Sequence, residues 1–242
     1  SNGKYDHVKL HKRFGDIQMP RIVLSDMRIE RKEKKLKGPF SSGLMELLRL
    51  YLERGEQAII FQNRRGFSPF MECDNCGWVP HCRNCDISLT YHKHQEDIRC
   101  HYCSYSEPVP TKCKACNSTY LRTKGIGTEQ IEHELELFFP ESKIGRLDLD
   151  TTRTRNSYQQ IISDFENGQT NILVGTQMVT KGLDFDNVGL VAVLNADQLL
   201  NYPDFRSLER AYQMMVQVSG RAGRKKRQGT VLIQTSTPEH PI

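Results

Sequence analysis

All eight cysteines of this 242-residue chain fall in one stretch, and each belongs to a Cys-x-x-Cys pair: Cys73/Cys76, Cys82/Cys85, Cys100/Cys103 and Cys113/Cys116. Cysteines separated by two residues can aim both sulfurs at one ion, and eight thiolates are what two tetrahedral four-cysteine zinc sites require. A disulfide framework would suit a secreted chain, yet Ser1-Asn2-Gly3-Lys4 leads into charged residues with no apolar leader. A redox-active motif would be one such pair at a helix start, not four in succession. Residues 73–116 therefore read as a metal-stapled insertion, each site worth on the order of 10 kcal/mol of folding free energy.

Sequential, crossed and nested pairings of the four knuckles are all open. The inner pairs are separated by residues 86–99, close to a zinc-ribbon hairpin in spacing, which favours nesting. Cys82, Cys85, Cys100 and Cys103 would then form one site, and Cys73, Cys76, Cys113 and Cys116 would close the base. His81, His92, His94 and His101 read as surface or outer-sphere residues, because thiolates alone fill both shells.

The hydrophobic fraction of 37% allows a sizeable core plus a small appendage, and no apolar run approaches a membrane span, so a soluble intracellular protein is expected. The formal charge of +5 is weak evidence for a polyanionic partner, since eight thiolates on two Zn2+ lower it to about +1. Residues 28–37 and 224–227 are locally cationic, but such runs are usually solvated faces.

Along the chain, residues 1–40 read as a linker with one short strand at 21–24. Leu44, Leu47, Leu48 and Tyr51 recur at helical spacing after Ser41-Ser42 and stop at Gly55, and a buried strand follows at 58–61. Beyond the cysteines, Thr128 is placed as the cap of a helix carrying Ile131, Leu135 and Phe138, before a strand at 143–149. A capping box Ser157-x-x-Gln160 opens the next helix, strands follow at 171–175 and 190–194, and a helix from Ser207 through Val218 precedes a last strand at 230–234. Short, all-apolar strands alternating with helices predict an α/β lobe, a parallel sheet covered on both faces, formed by residues 41–72 and 117–242.

Two segments are too polar and glycine-rich for core: 175–185 after a strand and 217–224 after a helix. Both lie where α/β sheets place ligands. A helix cap would explain Gly220 or Gly223 but not the flanking Arg221 and Arg224, which could present two fork-shaped donors to one polyanion. Gln217-x-x-Gly220-Arg221-x-Gly223-Arg224 resembles motif VI, and 175–185 resembles motif V, of the second RecA-like lobe of superfamily 2 helicases. With Phe61-Gln62-Asn63-Arg64-Arg65-Gly66-Phe67, Cys73-x-x-Cys76-Gly77, Cys100-His101-Tyr102-Cys103, Gly127-Thr128-Glu129 and Gly175-Thr176-Gln177-Met178, the chain from about Pro20 onward is similar to the PriA (primosomal protein N′) family of replication-restart DNA helicases. Ser104 departs from the glycine, and Lys114 from the proline, common in the family; both concern local turn geometry only.

The resemblance implies an ATP-dependent 3′-to-5′ DNA helicase of the bacterial cytoplasm that binds stalled forks and initiates primosome assembly. Its implied partners are forked and single-stranded DNA, other primosome proteins and single-stranded-DNA-binding protein, with no membrane. It makes Arg224 the arginine finger and Arg221 a second phosphate contact, Gln217, Gly220, Asp184 and Gly182 nucleotide-site residues, and Thr176, Arg64, Arg65 and Thr128 DNA contacts. No Gly-x-x-x-x-Gly-Lys-Ser/Thr loop and no Walker B acidic pair occurs, and Gly125-Ile126-Gly127 lacks the lysine a phosphate loop needs. ATP and Mg2+ are thus expected only together with a first lobe preceding residue 1, and this fragment alone is expected to be inactive. Two other readings remain: a zinc-dependent nucleic-acid or protein binding module without motor activity, and an RNA helicase, against which only the cysteine pattern argues.

Overall fold

The apolar runs of the sequence become the middle of one parallel sheet, and alternate residues of each run feed two different cores. The computed structural model describes residues 18–63, 70–85, 87–92, 96–100, 102–124, 127–148, 151–152, 154–180, 185–202, 204–223 and 227–241. The chain begins with β1 (Arg21–Asp26), α1 (Met27–Lys32), α2 (Ser42–Glu53) and β2 (Gln57–Gln62). The insertion follows as β3 (Phe70–Cys73), β4 (Thr90–His92), β5 (Asp97–Arg99), β6 (Ser106–Pro108) and β7 (Leu121–Lys124). The lobe resumes with α3 (Thr128–Phe138), β8 (Ile144–Leu147), α4 (Arg155–Glu166), β9 (Ile172–Gly175), β10 (Val188–Leu194), α5 (Asp197–Leu200), α6 (Ser207–Ser219) and β11 (Thr230–Thr235).

The main sheet runs β1-β11-β10-β2-β9-β8, every neighbouring pair parallel. Ala58, Ile60, Ile172, Val174, Leu190 and Ala192 pack with Leu44 and Leu48 of α2 and Ile131 and Leu135 of α3. Ile59, Phe61, Leu173, Val191 and Val193 point the other way, onto Phe165 of α4 and Ala211 and Val218 of α6. Burial on both faces is why these strands read as unbroken apolar runs rather than as alternation. At one such contact the Phe165 and Phe185 rings meet edge to face, 4.7 Å apart.

Three local expectations are corrected. The short strand expected at 21–24 is present and runs on to Asp26, pairing with β11 from Arg21 opposite Thr230 to Asp26 opposite Thr235, but the residues after it form helix α1 rather than linker. The signal of β1 is weak because an edge strand covers little; Ile22 and Leu24 remain 60% and 52% exposed. Helix α4 is capped by Thr154, whose side chain accepts the Ser157 N–H, so Ser157 lies inside the first turn and heads no capping box. Helix α3 is entered from Gly127 with no side-chain cap, and Thr128 is its first residue.

Asp26 ends β1 and caps α1, accepting the Arg28 N–H at 2.9 Å and the Arg28 guanidinium at 2.7 Å. The Arg28 side chain, above all, holds the Asp26 carboxyl below its usual range. Folding lowers this pKa, so the stabilisation is complete at neutral pH and fades as pH falls below about 4 toward the folded value. Asp26→Ala is expected to cost about 1 kcal/mol at pH 7 in urea unfolding, with the difference shrinking toward pH 3. An equal cost at both pH values would show that the carboxylate charge is not what stabilises the helix start.

Candidate functional site

β3 and β7 pair antiparallel, Phe70 opposite Lys124 and Cys73 opposite Leu121, and form the neck of the insertion. Beyond it, β4, β5 and β6 make a small antiparallel sheet whose core gathers Ile87, Leu89 and Ile98 around the buried Cys82 and Cys100. All four knuckles close alike: the N–H groups of Cys73, Cys82, Cys100 and Cys113 donate to the carbonyls of Trp78, Ile87, Tyr105 and Ser118 at 2.7–2.9 Å. In three of them the residue after the second cysteine is left-handed, Gly77, Ser104 and Asn117 at φ +75°, +59° and +58°. Each of those residues donates its N–H back to the first cysteine of its knuckle. Ser104 thus makes the same turn as Gly77, with the steric penalty a Cβ carries there. Lys114 does no harm either; its ammonium sits 2.9 Å from Glu107.

The knuckles are nested. Cys73, Cys76, Cys113 and Cys116 form one cluster and Cys82, Cys85, Cys100 and Cys103 the other, the sulfurs of each within 4.8 Å of one another. Sulfur separations are 3.7 Å for Cys73–Cys116, 3.6 Å for Cys76–Cys113 and 3.5 Å for Cys82–Cys103. A tetrahedron with zinc–sulfur bonds of 2.3 Å has edges of about 3.8 Å, whereas a disulfide would bring the sulfurs to about 2.05 Å. The residues present therefore fit two four-thiolate zinc ions, whose chemistry is that of a closed structural staple. In the metal-free thiols, the Tyr105 N–H draws Cys103 down to about 6, and the Asn75 amide does the same for Cys116. Burial pushes Cys76 up to about 12, and the neighbouring Cys103 pushes Cys85 to the same value. Metal binding must expel protons from Cys76 and Cys85, so affinity falls as the solution is acidified.

The second group of candidate residues follows the carboxyl ends of β2 and β9 and the end of α6. Asn63 follows β2 and Gln177 follows β9, and the Gln177 amide donates to Asn63 Oδ1 at 3.2 Å. A cleft of about 390 Å³ runs between them and α6, also lined by Tyr202, Arg210 and Gln217. Gln217 is exposed in the last turn of α6, so the structure unites it with Asn63 and Gln177. Neither of those two stood out as a site residue in the sequence; their only signal was membership of the quoted motif strings. Gly220 keeps right-handed geometry at the helix end and Arg221 is 9% exposed. Gly223 has φ +71° and donates its N–H to Val188 O at 2.9 Å, and a Cβ there would lie 2.1 Å from Gly229 N. Thr176 is buried at the end of β9.

Thr128, expected as a DNA contact, is fully buried, its hydroxyl donating to Asp148. Asp148 in turn accepts the Thr151 N–H at 3.0 Å, which makes Thr128 a support for the turn after β8. Arg64, Arg65, Gly182, Asp184 and Arg224 lie outside the described residues.

Residues 82–108 match the PriA DNA helicase Cys-rich region (CRR) domain, and residues 113–226 match the helicase conserved C-terminal domain. The replication restart protein PriA of Bacillus subtilis is 46% identical over 238 residues, 98% of this chain and 29% of that protein. Its counterpart in Haemophilus influenzae is 42% identical over 241 residues, 100% of this chain and 32% of that protein. The chain belongs to the PriA family. It spans about a third of the length of these PriA relatives. A structure of RecG bound to a three-way DNA junction overlays 91% of the chain and 18% of that protein, with a TM-score of 0.47 and 12% identity.

Two measurements probe the metal module. Elemental analysis of the purified protein is expected to give two zinc per chain, and strong chelation to unfold residues 73–116 before the main sheet in hydrogen exchange; simultaneous loss of both would show that the lobe leans on the metal as heavily as the insertion does. Ser104→Gly is expected to raise the module's resistance to chelation by roughly 0.5–1 kcal/mol, because it relieves a left-handed residue without removing a contact. No gain would show that the Ser104 side chain compensates for its backbone.

Proposed function

We propose that this chain is the second motor lobe of an ATP-dependent 3′-to-5′ DNA helicase that acts on stalled replication forks and initiates primosome assembly. The observation that carries the reading is the conjunction of two features: a nested pair of four-cysteine clusters matching the PriA region, set into a lobe that presents Gln217 and Gln177 to one cleft. Gln217, Gly220, Gly182 and Asp184 serve the nucleotide, Arg224 acts as arginine finger, and Arg221, deeper in the lobe, makes a second phosphate contact once the partner lobe closes. Thr176, Arg64 and Arg65 track the DNA backbone. Contacts of that kind are sequence-independent and salt-sensitive, so fork structure rather than base sequence is read.

ATP and Mg2+ need the first lobe, because phosphoryl transfer requires a phosphate-gripping loop opposite the finger. The fragment alone therefore hydrolyses no ATP. Forked and single-stranded DNA, primosome proteins and single-stranded-DNA-binding protein are its partners in a bacterial cytoplasm. In the full-length protein, Arg224→Ala should lower DNA-stimulated ATP hydrolysis by about 10³-fold or more while DNA affinity is retained. Unchanged hydrolysis would remove the motor assignment and favour a zinc-dependent binding module.

A further inference from the structure

The first knuckle of each metal site carries an asparagine that the second knuckle lacks: Cys73-Asp74-Asn75-Cys76 and Cys82-Arg83-Asn84-Cys85, against Cys113-Lys114-Ala115-Cys116 and Cys100-His101-Tyr102-Cys103. Both amides reach across their own site. Asn75 Nδ2 lies 3.5 Å from Cys116 Sγ, and Asn84 Nδ2 lies 3.7 Å from Cys103 Sγ. In each case the acceptor is the last cysteine of the opposite knuckle, and Cys103 and Cys116 are the two exposed cysteines of the eight. The buried Cys100 and Cys113 receive the backbone N–H groups of Tyr102 and Ala115 at 3.4 Å.

Four thiolates around a divalent ion leave a net charge of about −2, spread over the sulfurs. A proton or other electrophile arriving from solvent meets the exposed sulfur first, and the electron pair that sulfur shares with the metal is the one it takes. An N–H donor on that sulfur draws density away and fixes its direction, as outer hydrogen bonds do for other metal ligands. Asn75 and Asn84 are themselves exposed and contribute to no core cluster, so packing does not account for the repeated placement.

We propose that Asn75 and Asn84 are positioning residues for the two zinc sites, each holding the solvent-facing thiolate of its cluster on the metal and lowering that thiolate's reactivity. The amide's role is independent of whether the lobe is a motor, since it concerns only the four-thiolate sites.

The test uses the whole 242-residue chain with both sites loaded. Zinc release is followed with a chromogenic chelator under limiting organomercurial, for Asn75→Leu, Asn84→Leu, the double variant, and Asn75→Asp. Each leucine variant should release one of its two zinc equivalents about 10-fold faster or more, and the double variant both. The near-isosteric Asp variant, which sets a carboxylate against Cys116, should release its zinc faster still. In cobalt-loaded protein the thiolate-to-cobalt charge-transfer band should move to lower energy in the leucine variants, a change that looser packing would not produce. Release within about twofold of the parent in the leucine and aspartate variants, with superimposable cobalt spectra, would overturn the proposal, as would equal acceleration of both sites by a single substitution.

Discussion

Four sulfurs at the root of the insertion, those of Cys73, Cys76, Cys113 and Cys116, are the constraint on which the order of the whole excursion from the sheet hangs. They tie the strand that leaves the sheet after β2 to the strand that returns into α3. Closing residues 73–116 into a loop costs about 4 kcal/mol of chain entropy. A four-thiolate zinc site offers on the order of 10 kcal/mol, so the metal rather than the small apolar core decides whether the excursion is ordered. The inner cluster then closes a shorter loop inside one already closed, and the knuckle hydrogen bonds shared by all four pairs make the two sites near copies of one solution.

Closure alone does not say how the insertion sits on the lobe; a polar seam does. Glu72, buried on β3, accepts the Ser236 hydroxyl at 2.6 Å and faces the Arg31 guanidinium of α1 at 3.6 Å. The Ser236 N–H donates to Asp197 at 2.7 Å, and Asp197 also accepts the Thr235 hydroxyl. A buried ion pair gives little net stability once desolvation is counted, so the seam's contribution is orientation more than energy. Gly77 fits the same logic, because a Cβ on it would stand 2.8 Å from Ser236 O. The metal module is therefore seated on the carboxyl-end edge of the sheet, the edge that also carries Asn63 and Gln177.

What could be read from the sequence follows from what burial and ligation leave in it. Cysteine spacing reports ligation directly, and the length of the inner hairpin favours the nested pairing that the sulfur clusters show, although spacing alone leaves the sequential and crossed ones open. The central strands were legible because both faces are buried. Edge strand β1 was half legible, since a strand covering one side of one neighbour needs few apolar residues. The caps failed for a different reason: Thr154 and Ser157 are both competent, and only the backbone decides which one the helix starts after. Charge was least legible of all. Arg28 is held by Asp26 and Glu239, Arg31 by Glu72 and Asp74, and Lys35 by Glu33, so three cations of the 28–37 run serve the fold.

The glycines of the motif VI string invite two readings, one in which they free the backbone for a phosphate clamp and one in which they only end a helix. Gly220 stays right-handed and lets α6 run out without a reversal, so the helix end does not explain why the string needs a second glycine. Gly223 supplies the reversal: its left-handed backbone turns the chain so that Ala222 and Gly223 press against Gly229 and the N–H reaches Val188 at the start of β10. That contact anchors residues 221–223 to the sheet. An arginine on a free loop would spend much of its binding energy on ordering itself, whereas Arg221, beside an anchored turn, starts from ordered backbone. The packing of Gly223 against Gly229 thus does what a helix cap alone would not: it fixes the backbone next to Arg221, so that the direction of that guanidinium is set by the fold.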